Sequence, residues 1–186
     1  MKFSIRKEQS TDKRPFLLYC FDEARFGRIT GLQDCWAPKG VRPIVPAQLI
    51  REYTYVYGAV SPVTGDSFGM ILPFVNAQCM NIFMNHLSDH YQEYHIILLS
   101  DQASWHTGHE LIIPKNIHFL FLPPHSPELN PAEHIWDYMR EHDMANKSFD
   151  SMDQLEDMLV VSMKKFPSLQ DTFQSLCSFP WLLVNL

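Results

Sequence analysis

No apolar run in this 186-residue chain approaches the ~20 residues that a membrane-spanning helix needs. The first ten residues, Met-Lys-Phe-Ser-Ile-Arg-Lys-Glu-Gln-Ser, are polar and lack the apolar core of a secretory leader. The expected location is therefore the cytoplasm. Cysteine is sparse: Cys20, Cys35, Cys79 and Cys177 stand apart with no Cys-x-x-Cys. That pattern fits reduced thiols and offers no zinc-ligand spacing. The chain also lacks a Gly-x-Ser-x-Gly elbow, a P-loop, a dinucleotide fingerprint and a His-Glu-x-x-His helix, and it has no internal repeat.

What is present describes one globular domain. Hydrophobic residues make up 46% and charged residues 19%, which excludes a disordered chain. The net charge of −6 argues against a generic nucleic-acid binder, but its distribution is uneven. Residues 1–51 hold ten Lys and Arg against five Asp and Glu, whereas residues 52–186 hold five against sixteen. Such asymmetry suits a basic phosphate-contacting face beside an acidic, metal-collecting one, and equally a basic arm on an acidic domain.

Residues 1–15 read as a flexible basic leader carrying Lys2, Arg6, Lys7, Lys13 and Arg14. Phe16–Phe26 is an apolar strand interrupted by Asp22 and Glu23. Residues 27–48 form a long loop rich in Gly, Pro and basic side chains, and long irregular loops are usually functional or disordered. Glu52–Val60 and Ser67–Phe74 are strands about a turn at Ser61–Asp66. Asn76 caps a helix whose apolar face is Met80, Phe83, Met84 and Leu87. Ile96–Leu99 reads as a central strand buried on both sides, residues 102–111 as a short loop and helix, and Ile117–Leu122 as a fifth strand. A helix follows from Pro131, with Asn130 as N-cap. Another opens at Ser151 with Gln154 at the capping-box position, and an apolar, partly helical tail ends the chain. The order predicts an α/β protein: a mixed five-stranded sheet with helices on both faces, in the element order of the ribonuclease-H-like fold.

Three acids end three of these elements. Asp22 stands where the first strand opens into the loop; strand alternation sends Glu23 to the opposite face, so only one of the pair joins a given site. Its other reading is a strand-end partner of Arg25 or Arg28. Asp101 follows the central strand, at the carboxyl end where ligands of open α/β sheets gather, or else caps a turn. Glu133 opens the helix from Pro131, where the helix N-terminus keeps a carboxylate ionised. As the fourth residue of Asn-x-x-Glu it also fits a capping box, and Asp137 one turn on is the fallback ligand. An all-carboxylate set suits Mg²⁺ or Mn²⁺ better than zinc. His106 and His109 lie near Asp101 within reach of a substrate, although surface or core positions are commoner for histidine, while His125 and His134 flank Glu133. Tyr53, Tyr55 and Tyr57 alternate along a strand and are expected to pack the sheet.

Four stretches occur in the same order as in a known family: Phe21-Asp-Glu-Ala-Arg-Phe, Trp36-Ala-Pro-Lys-Gly, Leu99-Ser-Asp-Gln-Ala and Pro124-His-Ser-Pro-Glu-Leu-Asn-Pro-Ala-Glu-His-Ile-Trp. They resemble the catalytic domain of DDE transposases of the mariner superfamily, in its bacterial insertion sequence 630 branch. The resemblance covers about residues 16–166, leaving 167–186 as a tail, and it places the acidic triad on Asp22, Asp101 and Glu133. It implies two Mg²⁺ or Mn²⁺ ions, cleavage of transposon-end DNA and strand transfer into target DNA. A homodimer is expected in the active complex. The 27–48 loop, with Arg28, Lys39 and Arg42, is the candidate for DNA or partner-subunit contact, its other reading being a solvated loop, and His125 is a candidate to orient phosphate. Trp36 is then an anchor for a second subunit or for its own core. Such transposases begin with helix-turn-helix modules; their absence from this sequence suggests a separately encoded helix-turn-helix partner or a truncated remnant. Alternatives on the same fold are a structure-specific nuclease without strand transfer and an inactive remnant that binds DNA or protein.

Overall fold

A computed structural model describes residues 12–103, 106 and 110–183. Five strands form one sheet: β1 (Phe16–Ile29), β2 (Leu49–Val60), β3 (Ser67–Leu72), β4 (His95–Ser100) and β5 (Ile117–Phe121). Their order is β3-β2-β1-β4-β5, with β1, β2 and β3 antiparallel to one another and β4 and β5 parallel to β1. In the meander the β1–β2 connection is the long segment 30–48 and the β2–β3 connection is a short turn, and each parallel strand is reached by a crossover, as strand geometry requires. The leader expectation for residues 1–11 lies outside the described residues. Beyond it, Arg14 donates to the Gln92 carbonyl (2.6 Å) and the Pro15 carbonyl accepts from His95 N–H (2.9 Å), tying this end to β4.

Alternation along β1 builds two cores. Leu18, Cys20, Ala24 and Phe26 point into one, with Val56, Val60, Leu99 and the helices α2 (Glu133–Met139), α3 (Met152–Met163) and α4 (Gln170–Cys177). Tyr19 and Phe21 point into the other, against Met80, Phe83, Met84 and Leu87 of α1 (Ala77–His90). Helix α1 starts as its sequence dictates, with the Asn76 side chain accepting from Cys79 N–H (2.8 Å). Ser151 likewise caps α3 by accepting from Gln154 N–H (3.1 Å). Tyr57 is fully buried and Tyr53 lies under Arg25, so this strand's aromatics pack the sheet as expected. A short last helix, α5 (Pro180–Leu183), follows α4. Phe173, Cys177 and Leu182 belong to the same core as β1, so the C-terminal segment is an integral layer of the fold. Among the described residues no helix is long and apolar enough to cross a membrane.

Candidate active site

Asp22 sits on β1 opposite Gly58 of β2, facing the core that holds α2 to α4. The indole of Trp136, on α2, lies across this spot and donates from Nε1 to Asp22 Oδ2 (2.9 Å). Gly58 is what admits the ring: a Cβ there would stand 2.4 Å from Trp136 Cη2. Burial pushes the Asp22 carboxyl up, and the charges of Glu133 and of the adjacent Glu23 push it further, to about 8, against the indole bond that favours ionisation.

Glu133 is delivered by the proline-rich loop. A 3₁₀ turn at Pro127–Leu129 leads to Asn130, which is buried; its Nδ2 donates to the Phe21 carbonyl (3.0 Å) and its Oδ1 accepts from Ala132 N–H (3.2 Å). Asn130 therefore clamps the start of α2 onto β1 one residue before Asp22. The capping-box alternative for Glu133 fails on one bond: the Asn130 amide donates to the Pro127 carbonyl (2.8 Å) and not to the glutamate. The helix itself begins at Glu133 and not at Pro131, because the preceding turn closes with i to i+3 bonds. Asp137, the fallback, is 62% exposed and pairs with Arg140 at 3.4 Å, away from the cleft.

Asp101 follows Ser100, the last residue of β4. Its Oδ1 accepts from Ala103 N–H (3.1 Å) and lies 2.8 Å from His106 Nδ1. The other ring nitrogen, Nε2, lies 2.8 Å from Glu23 Oε1. Burial pulls His106 down, but its hydrogen bonds to Asp101 and Glu23 outweigh that and hold it up at about 9. The His106 bond in turn lowers Asp101. Of the two readings of His106, the core one holds: the side chain is buried and committed to two carboxylates. His109 lies outside the described residues.

Asp22, Asp101 and Glu133 line one cleft of about 390 Å³, with Gln102, Asn130 and the loop from Leu122 to Pro127 completing its wall. His125 stands exposed on that wall in a left-handed backbone conformation (φ 56°). The donor set is hard oxygen, and the crowding that raises Asp22 is what a bound cation relieves, so these residues fit a divalent metal of the Mg²⁺ class. Among the described residues no three such side chains are already closed around a metal position. Asp22 and Glu133 line the same cleft and Glu133 acts electrostatically on Asp22, while Asp101 is bonded to His106.

The basic loop needs one correction. Arg28 was expected at DNA, but its guanidinium donates to the carbonyls of Phe149 (2.9 Å) and Asp150 (2.7 Å) and to Glu52 (2.5 Å), which makes it a tie between β1 and the segment before α3. Lys39, Arg42 and Trp36 are exposed, the indole completely so. Trp136, Asn130 and Glu23 were not foreseen in their roles. Trp136 had a signal, since it lies three residues after Glu133 and so on the same helix face.

The 3-2-1-4-5 mixed sheet is that of the ribonuclease-H-like fold. Asp22 lies in the middle of β1 and not at its end as expected, because β2 pairs with β1 beyond it, and it shares a cleft with Asp101, just past β4, and with Glu133. The chain belongs to the family described as "DDE superfamily endonuclease", whose model matches residues 17–156. A relative from Sinorhizobium fredii (strain NBRC 101917 / NGR234), the uncharacterized protein y4pE/y4sA, is 36% identical over 104 residues, 55% of this chain and 77% of that one. Among solved structures, the Mos1 strand transfer complex is similar at TM-score 0.57 and 17% identity, over 94% of this chain and 58% of the other. The Mos1 mariner paired end complex with Mn is similar at TM-score 0.58 and 18% identity, over 88% and 56%. These are likenesses of fold, and the chain spans a little over half the length of the Mos1 protein.

Proposed function

We propose that this domain catalyses metal-dependent cleavage of transposon-end DNA and transfer of the freed end into target DNA. The observation that carries the reading is that Asp22, Asp101 and Glu133, from three separate elements, line a single cleft in a DDE-family fold. When bound, two Mg²⁺ or Mn²⁺ ions supply the charge that makes water a nucleophile at neutral pH and steadies the leaving oxygen. Asp22, Asp101 and Glu133 are the residues that would hold them. Trp136 and Asn130 fix Asp22 and Glu133 relative to each other, so little rearrangement is left for the moment of reaction. His125, on the exposed wall of the cleft, is the candidate to orient a phosphate. Lys39 and Arg42 on the projecting loop are the candidates for backbone contact with DNA, and the exposed indole of Trp36 is the candidate anchor for a second copy of this chain in a dimeric complex. One of the Mos1 structures named above is a paired end complex and the other a strand transfer complex, which supports DNA ends as the substrate; a separately encoded helix-turn-helix protein would supply their recognition.

The test is to incubate the full chain with Mg²⁺ or Mn²⁺ and labelled duplexes carrying the ends of the element that encodes it. Nicking plus joining is the expected result, strongly weakened by salt because phosphate contacts release counterions. Cutting without joining would leave a nuclease, and metal-independent binding alone an inactive remnant. Cleavage that survives Asp101→Ala would show that the site is misassigned.

A further inference from the structure

Glu23 follows Asp22 but leaves β1 on the α1 side of the sheet, where Phe21 also points. Its side chain is only 5% exposed, and a carboxylate that deep requires a polar partner. That partner is His106, whose ring is 1% exposed and has a carboxylate oxygen 2.8 Å from each nitrogen: Glu23 Oε1 at Nε2 and Asp101 Oδ1 at Nδ1. Ser100 Oγ lies 3.1 Å from the same Nδ1, and Phe21 meets the ring edge-on with centroids 5.5 Å apart. Both ends of the imidazole and one side are therefore fixed by strands of the sheet. Asp101 is different: 56% exposed, beyond the end of β4, with its hydrogen bonds gathered on Oδ1.

We propose that Glu23 and His106 are positioning residues that hold the Asp101 carboxylate at the cleft and thereby set its affinity for divalent metal. Glu23 anchors the ring in the sheet, the ring grips one oxygen of Asp101, and the second oxygen is left for the ion. The adjacent acids of β1 then serve one centre by two routes, Asp22 directly and Glu23 from the opposite face through a histidine. Losing a partner that orients a ligand in this way typically weakens metal affinity about 10- to 100-fold. The inference rests on Asp101 being a metal ligand and adds to it the group that holds Asp101 in place.

The experiment is Mn²⁺ titration of the DNA-free full chain, followed by calorimetry and by the Mn²⁺ electron-spin signal, at a temperature where each variant is folded by circular dichroism. Glu23→Ala and His106→Ala are expected to weaken Mn²⁺ binding roughly 10- to 100-fold, with kcat reduced and KM for DNA held, and Glu23→Gln is expected to recover part of the loss. In the unsubstituted protein, Mg²⁺ should shift the ring resonances of His106, and Asp101→Asn should abolish that shift. Variants that melt earlier yet bind Mn²⁺ like the parent, or a His106 ring indifferent to Mg²⁺, would overturn the proposal, and the second readout needs no variant at Glu23. Weak binding by Asp101→Asn beside normal binding by Glu23→Ala would sink this inference alone. A parent protein that binds no Mn²⁺, or an Asp101→Asn variant that binds it as tightly, would sink the metal site itself.

Discussion

Asp22 is held in two opposed ways: a buried position beside other acids keeps its proton on, and an indole N–H favours its ionised form. The balance is a carboxyl raised from the usual range to about 8. Because the folded pKa lies above the unfolded one (about 3.9), the contribution of this group to stability is intact below that range and is lost as pH climbs toward 8. Asp22→Asn keeps an acceptor for Trp136 and removes the titration. The metal-free melting temperature of this variant is expected to exceed that of the parent by a margin that widens from pH 5 to pH 8, as followed by scanning calorimetry, while Mn²⁺ binding is lost. A constant margin would contradict the assignment. Trp136→Phe keeps an aromatic ring over Gly58 but deletes the donor; metal affinity is expected to fall about tenfold with a smaller loss in melting temperature, since what goes is one charge-assisted hydrogen bond. The three acids were legible in the sequence because each ends an apolar run. The link from Glu23 to His106 was not, because strand periodicity assigns a face but does not say which loop folds back to meet it.

Strands and helices were foreseen where periodicity or a cap marks them, as at Asn76 and Ser151, and less well where sheet pairing extends an element. β1 runs to Ile29 because β2 pairs with it past the expected end. The close approach of α2 to the sheet depends on Gly58, and Gly58→Ala would press on the Trp136 ring. Overpacking of this kind costs about 1–3 kcal/mol, and here the displaced group is the donor to Asp22, so a loss of Mn²⁺ affinity should accompany the drop in denaturant midpoint. Past α2 the chain makes a π turn at Arg140–Met144 that brings Asp143 onto Ser162 and Lys165. Burial raises the carboxyl of Asp143, yet its bonds to Lys165 and Ser162 win and lower it below the ordinary range. That stability is present above about pH 4 and is lost as pH falls through the depressed value. Asp143→Asn should therefore destabilise the protein at pH 7 by about 1.5 kcal/mol, the low end for a bond to a charged group because Lys165 is half exposed, and the difference from the parent should shrink in acid unfolding curves.

At the scale of the whole molecule the family match stops at residue 156, but the core does not. Phe173 and Cys177 are fully buried beside α2, and Gly65 (φ +71°) turns the β2–β3 connection against the backbone of Gln170 so closely that a Cβ would overlap it. A chain ending at residue 166 should lose the equivalent of a Phe→Ala core truncation at Phe173 alone, about 3–5 kcal/mol, and more with α4 gone. Circular dichroism is expected to show it largely unfolded at 37 °C; a cooperative melt near that of the full chain would disprove the role given to the tail. The helical, apolar character of that tail is legible in the sequence, but only packing reveals what its apolar residues cover. The projecting 30–48 segment was legible as irregular from its prolines and glycines, whereas the reassignment of Arg28 from a phosphate contact to a backbone tie required the position of residues 149 and 150, more than a hundred places away.

One helical turn carries both Glu133 and the indole that grips Asp22, and its first residues are fastened to β1 by Asn130. Two of the three acids are thus joined by a mechanical coupling that runs through a single short block. The centre then has a common fate: whatever loosens that block disarms both acids at once, and a protein or DNA surface that clamps it could arm the enzyme without touching either carboxylate.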